Sequence, residues 1–74
     1  MGRLIRMDSS GHSTLADWSA TDEGAYDAAV EAFRRELEEG YVAVLSEGEG
    51  RATQVRDLPR DAELVIMRRP IAGG

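Results

Sequence analysis

A single helical pattern constrains the fold of this chain more than any other feature. Five apolar side chains recur at three- and four-residue intervals and form one stripe: Tyr26, Ala29, Val30, Phe33 and Leu37. The pattern predicts a helix over residues 22–39, with Asp22 and Glu23 near the positive end of the helix dipole and Gly40 as its C-terminal stop. A helix with one apolar stripe buries that stripe by lying across one face of a sheet.

Strand-like segments lie on both sides of this helix and are separated by turn residues. The strands are predicted at residues 4–7, 12–18, 41–45, 51–56 and 63–68. In the second strand, Thr14, Ala16 and Trp18 are expected to face the core. Leu58, which lies between the last two strands, is expected to be tucked inward.

The last strand is the most apolar, because residues 64–67 form an unbroken run of Leu, Val, Ile and Met. We therefore expect it to lie in the centre of a mixed sheet, parallel to the first strand and between it and the third. The order ββαβββ with this pairing is an α+β fold of the β-grasp type, with the helix packed across one face. Residues 1–69 are expected to form this single domain, and residues 70–74 a flexible C-terminal tail.

The tail differs sharply from the strand before it. Pro70 has no N–H for a sheet ladder and keeps Arg69 extended. Gly73 and Gly74 carry no Cβ, so the end of the chain is narrow enough to enter a channel. This pattern favours a C-terminal carboxylate that is itself the reactive group. The alternative is an unstructured or truncated terminus without a role.

The sequence of residues 61–74 carries a family resemblance. Pro70-Ile71-Ala72-Gly73-Gly74 after a buried strand resembles the end of the small sulfur-carrier subunits of molybdopterin synthase. The double glycine after a strand and two arginines also resembles ubiquitin. The resemblance implies a β-grasp carrier whose Gly74 carboxylate is activated by an E1-like adenylating enzyme that uses ATP. It further implies a sulfur-acceptor enzyme or a conjugation target, and no cofactor on this chain.

Two groups of residues are predicted to bind the partner. Arg68 and Arg69 could dock an acidic groove, with Pro70, Ile71 and Ala72 following them, or they could be a solvated strand end. The second group is an apolar patch on the sheet face away from the helix, which would mark a partner site if exposed. It is predicted to contain Leu4, Leu15, Val65 and Met67. The alternative there is a strand that alternates imperfectly.

Composition excludes several other functions. A net charge of −5 argues against nucleic-acid binding. With no cysteine and a single histidine, we expect no metal site and no catalytic residue, and we interpret His12 as a turn residue. The longest apolar runs are too short for a membrane span, so a cytoplasmic monomer is expected. We interpret the acidic Glu36, Glu38 and Glu39 as a solvated face.

All nine basic residues are arginine. This bias reflects either codon usage or selection against ε-amines that an activated C-terminus could acylate. Two functions compete on this sequence. One is the carrier or modifier described above. The other is a non-conjugated β-grasp interaction module that binds a protein through its open sheet face. An enzyme is the class that the sequence favours least.

Overall fold

The computed structural model describes residues 2–8, 10–19, 21–48 and 50–69. Within these ranges the chain forms five strands and one helix in the predicted order. The elements are β1 (Gly2–Asp8), β2 (Gly11–Trp18), α1 (Glu23–Glu38), β3 (Val42–Gly48), β4 (Arg51–Val55) and β5 (Leu64–Arg68). The predicted tail, residues 70–74, lies outside the described residues.

The strands form one sheet in the order β2-β1-β5-β3-β4. β5 is central, runs parallel to β1 and antiparallel to β3, and is hydrogen-bonded on both edges. β1–β2 and β3–β4 are antiparallel hairpins. The α+β, β-grasp fold and the central position of the last strand are therefore confirmed. The unbroken apolar run of β5 occupies the most protected place in the sheet.

The helix begins and ends as its sequence dictates. Asp22 is the N-cap, and its carboxylate accepts a hydrogen bond from the Ala25 N–H at 3.0 Å. Gly40 follows the last turn with φ of 97°, a left-handed conformation that glycine adopts without strain. Ala29 and Phe33 are buried, and the rest of the predicted stripe packs against the core.

The core lies between α1 and the sheet, and it contains residues that we expected on the opposite face. Leu4, Val65 and Met67 are each 0% exposed and belong to the buried cluster, so their predicted place on an exposed patch is wrong. These three side chains do share one face, but it is the face that α1 covers, and residues 64–67 are apolar at every position and so did not indicate which face that is. Val65 pairs with Leu4 and Met67 with Ala43, and paired side chains point to the same face of a sheet.

Leu15 was also predicted on the sheet face away from α1, but a β-bulge turns it towards the core. The β1–β2 register passes from Leu4↔Ala16 directly to Ile5↔Thr14, which leaves Leu15 unpaired. Leu15 packs against the core, whereas Thr14 is exposed beside Ile5. The prediction that Thr14 faces the core is therefore wrong. The prediction that Ala16 and Trp18 face the core is confirmed, because Trp18 is buried and Ala16 packs against the buried cluster.

The loop between β4 and β5 is fastened to the body by two aromatic side chains. The Trp18 Nε1–H donates to the Arg60 carbonyl at 2.9 Å, and the Tyr26 hydroxyl donates to the Leu58 carbonyl at 2.6 Å. Leu58 is buried, as predicted. The loop thereby closes the end of the core between α1 and β2.

Candidate functional site

The sheet face away from α1 is apolar along its middle row. In this row Ile66 of β5 pairs with Ile5 of β1 on one side and with Val44 of β3 on the other. All three side chains are half-buried, although no element of the described chain covers them. Met7, two residues beyond Ile5, is 48% exposed. We call these four residues the open face. The sequence analysis assigned the open face to Leu4, Val65 and Met67, which face α1 instead, so these four residues were missed.

A depression of about 740 Å³ runs along this face. The apolar residues of its lining are Met7, Val44, Ala52 and Ile66. The charged residues of its lining are Asp8, Arg51, Arg68 and Arg69. Gly48 pairs with Arg51 and Val42 with Arg68, so these two arginines are six β3 residues apart, roughly 20 Å. Arg51, Arg68 and Asp8 are the charged side chains of this lining apart from Arg69, whose guanidinium lies over the Tyr41 ring.

The carboxylate of Asp8, the aspartate in this lining, is hydrogen-bonded within the β1–β2 turn. The Asp8 carboxylate accepts hydrogen bonds from the Ser10 hydroxyl at 2.6 Å and the Ser10 backbone N–H at 2.9 Å. These bonds, the hydroxyl bond foremost, lower the pKa of Asp8 below its ordinary value of 3.8. Asp8 is therefore ionised at neutral pH and bonded within its own turn.

The two arginines predicted to bind the partner lie where β5 ends. Arg68 pairs with Val42 and is exposed. Arg69 is the last described residue, and its guanidinium lies 5.0 Å from the centroid of the Tyr41 ring. Tyr41 is half-buried against the core, so the two neighbouring arginines extend towards opposite faces of the sheet.

A partly buried ion pair lies beside this tyrosine, and it was not predicted from the sequence. The Arg6 Nη1 is 3.3 Å from a carboxylate oxygen of Glu36, whose side chain is 9% exposed. The Arg6 guanidinium also lies 5.7 Å from the Tyr41 ring centroid. Glu36 was expected on a solvated face, and that prediction is wrong because β1 supplies a cation under the last turn of α1.

The remaining predicted site residues are Pro70, Ile71, Ala72, Gly73 and Gly74, and they lie outside the described residues. Within the described ranges, no cluster of His, Asp and Glu side chains is arranged to hold a metal ion. His12 is exposed on β2 opposite Met7. No helix in the described part is long and apolar enough to cross a membrane.

Comparison with known proteins returns no match among protein-family models, curated proteins or solved structures. Function is therefore inferred from the geometry of the described residues and from the sequence that follows them.

Proposed function

We propose that this chain is a ubiquitin-like carrier or modifier protein whose Gly74 carboxylate is activated by an E1-like adenylating enzyme. One observation carries the proposal. The last strand lies in the centre of the sheet, and the chain continues from its end directly into Pro70 and the double glycine. A central strand that is bonded on both edges holds the start of the C-terminal segment firmly against the body.

The residue types after β5 suit entry into a partner's active site. Proline ends sheet pairing, and two glycines remove the side chains that would collide with a narrow channel. The exposed Arg68 and Arg69 stand at the start of this segment, where an acidic surface of the partner could engage them. The body serves as the part that the enzyme recognises.

The chemistry takes place on the C-terminal carboxylate. A carboxylate is a poor electrophile, so one of its oxygens attacks the α-phosphorus of ATP in the partner and pyrophosphate leaves. The resulting acyl-adenylate is attacked by hydrosulfide, which yields a thiocarboxylate, or by a protein amine, which yields an amide. In either case the bond to AMP breaks, AMP leaves, and the nucleophile loses its proton to solvent. The nucleotide belongs to the partner, and the proposal places both proteins in the cytoplasm.

The absence of lysine bears on the second outcome. This chain has no ε-amine, so one copy cannot be joined to a lysine of another. A modifier of this sequence would therefore be attached to its targets without lysine-linked chains of itself. Sulfur transfer and conjugation both remain within the proposal.

A second candidate function is favoured by the open face. Its apolar row, with Arg51 and Arg68 near the two ends of the depression, fits a protein interaction module that binds an apolar segment carrying acidic residues. In that case the C-terminal segment has no chemical role. The carrier function predicts that changes at Gly73 and Gly74 abolish activity, whereas the module function predicts that changes on the open face do.

Adenylation tests the first function directly. The chain is mixed with ATP and the adenylating enzyme of its native host, and exchange of pyrophosphate into ATP is measured. Deletion of Gly73 and Gly74 should abolish exchange, and Gly74→Ala should slow it steeply. Gly24→Ala is the matched control: its new Cβ would meet only the Asp22 carboxylate at 3.6 Å, so exchange should be unchanged.

Exchange that does not depend on the chain, or that survives the deletion, would contradict the carrier. The interaction module is tested by capture of protein partners from native lysate. Ile66→Asp places a charge in the middle of the open face and should abolish capture if the module function holds. Ala28→Asp changes an exposed helix position and serves as the control. Capture that is lost only with Gly73 and Gly74 would contradict the module.

A further inference from the structure

Four parts of the fold meet at Tyr41, next to the point where β5 ends. Arg69, after β5, and Arg6, from β1, place their guanidinium groups 5.0 Å and 5.7 Å from the ring centroid. Tyr41 precedes β3, and its N–H donates to the Glu36 carbonyl at 3.1 Å. The helix end thus fixes the tyrosine that both arginines contact.

Of the two arginines at Tyr41, one has a carboxylate partner and the other has none among the described residues. Arg6 is paired with the buried Glu36 carboxylate. Arg69 has no carboxylate within ion-pair distance among the residues that the structure describes. A guanidinium over an aromatic face is attracted by the negative face of the ring. The Tyr41 ring is therefore the attractive contact of the Arg69 guanidinium in the described part of the chain.

We propose that Tyr41 is a positioning residue for the C-terminal segment: by holding Arg69 it sets the direction in which the chain leaves the sheet. The next residue is Pro70, which has no N–H to continue pairing with β3. Arg69 is the last residue for which the structure describes a side-chain contact with the body. The functional part of this inference rests on the proposed carrier function.

Half-buried Tyr41 could also serve only as packing, so the variants separate the ring from its bulk. Tyr41→Phe keeps the aromatic face and removes a hydroxyl. Tyr41→Leu keeps apolar bulk and removes the face. If the ring seats Arg69, the upfield ring-current shift of the Arg69 side-chain protons persists in Tyr41→Phe and disappears in Tyr41→Leu. If the Arg69 side-chain shifts are unchanged in a folded Tyr41→Leu chain, the Tyr41 ring does not hold Arg69. This conclusion does not depend on the function of the protein.

The second measurement is steady-state adenylation. Tyr41→Leu should raise the KM for this chain roughly two- to fivefold, the effect of losing one exposed cation–π contact. The kcat should be unchanged, because a segment that has entered the active site reacts normally. Tyr41→Phe should match the unmodified chain. A change in kcat alone, or an equal effect of both variants, would contradict the positioning role.

A double-mutant cycle shows whether Tyr41 acts through Arg69. Tyr41→Leu should add nothing to the KM of an Arg69→Gln chain but should keep its full effect in an Arg68→Gln chain. Full additivity with Arg69→Gln would overturn the inference. If the chain without substitutions is not adenylated at all, the proposed function fails. The ring-current measurement then decides by itself whether the Tyr41 ring holds Arg69.

Discussion

Removal of one hydroxyl group, by Tyr26→Phe, should measurably loosen the β4–β5 loop. The Tyr26 hydroxyl donates to the Leu58 carbonyl at 2.6 Å across the end of the core. The phenyl ring would keep its edge contact with Trp18, at a centroid distance of 6.0 Å, and its contact with the Arg60 guanidinium at 4.4 Å. The substitution therefore isolates a single hydrogen bond.

The size of the effect follows from that bond and its surroundings. A neutral hydrogen bond of this kind contributes about 0.5–1.5 kcal/mol net, and an unsatisfied carbonyl near the core adds to the loss. We expect the free energy of unfolding to fall by about 1–2 kcal/mol, which lowers the Tm of a domain of this size by roughly 5–15 °C. A chain of 74 residues has a total stability of about 4–11 kcal/mol.

Urea unfolding followed by the fluorescence of Trp18 measures this loss. Trp18 is the single tryptophan of the chain and is 2% exposed, so its emission reports the loss of the core. Tyr41→Phe is the matched control, because the Tyr41 hydroxyl has no hydrogen-bond partner in the described ranges. Its stability should change by less than about 0.5 kcal/mol. Equal midpoints for the two variants would refute the account of this loop.

Three further outcomes are expected. Gly2→Ala should destabilise the fold by about 1–3 kcal/mol in urea unfolding, because the added Cβ would collide with the Trp18 indole. NMR titration of Asp8 should give a pKa below 3.8 that Ser10→Ala raises; its stabilising contribution is present above pH 3.8 and is lost as the pH falls through the folded-state pKa. Glu36→Gln should cost about 1–2 kcal/mol by differential scanning calorimetry, since it weakens a partly buried ion pair.

The elements of this fold could be predicted from local patterns, because each pattern has a local cause. The apolar stripe of α1 has the helical period, and the unbroken run of β5 indicated a strand protected on both edges. Those two features and the element order were enough to derive the sheet topology.

The faces of the strands could not be assigned in the same way. A strand that is apolar at every position, such as residues 64–67, has no alternation to show which side chains face the helix. The bulge at Leu15 reverses the alternation of β2 midway, and it arises from pairing with β1. The burial of Glu36 likewise depends on Arg6, which is 30 positions away in sequence. The errors at Leu15 and Glu36 therefore came from partners that are distant in sequence, which local patterns do not reveal.

The geometry of the candidate site was predicted only in part. The arginines at the end of β5 are exposed as expected, whereas the apolar patch consists of Ile5, Met7, Val44 and Ile66. The role of Tyr41 depends on its approach to Arg69 and Arg6, which come from opposite ends of the chain. Residues 70–74, on which the proposed chemistry depends, were inferred from sequence.

The mass of the chain isolated from its native host tests the central claim most directly. The carrier account predicts a fraction in which sulfur has replaced one oxygen of the Gly74 carboxylate, or a fraction joined to another protein through Gly74. Both should be absent from a chain lacking Gly73 and Gly74 that is expressed in the same cells. If only the unmodified acid is found while the adenylating enzyme is present and active, the carrier account is contradicted.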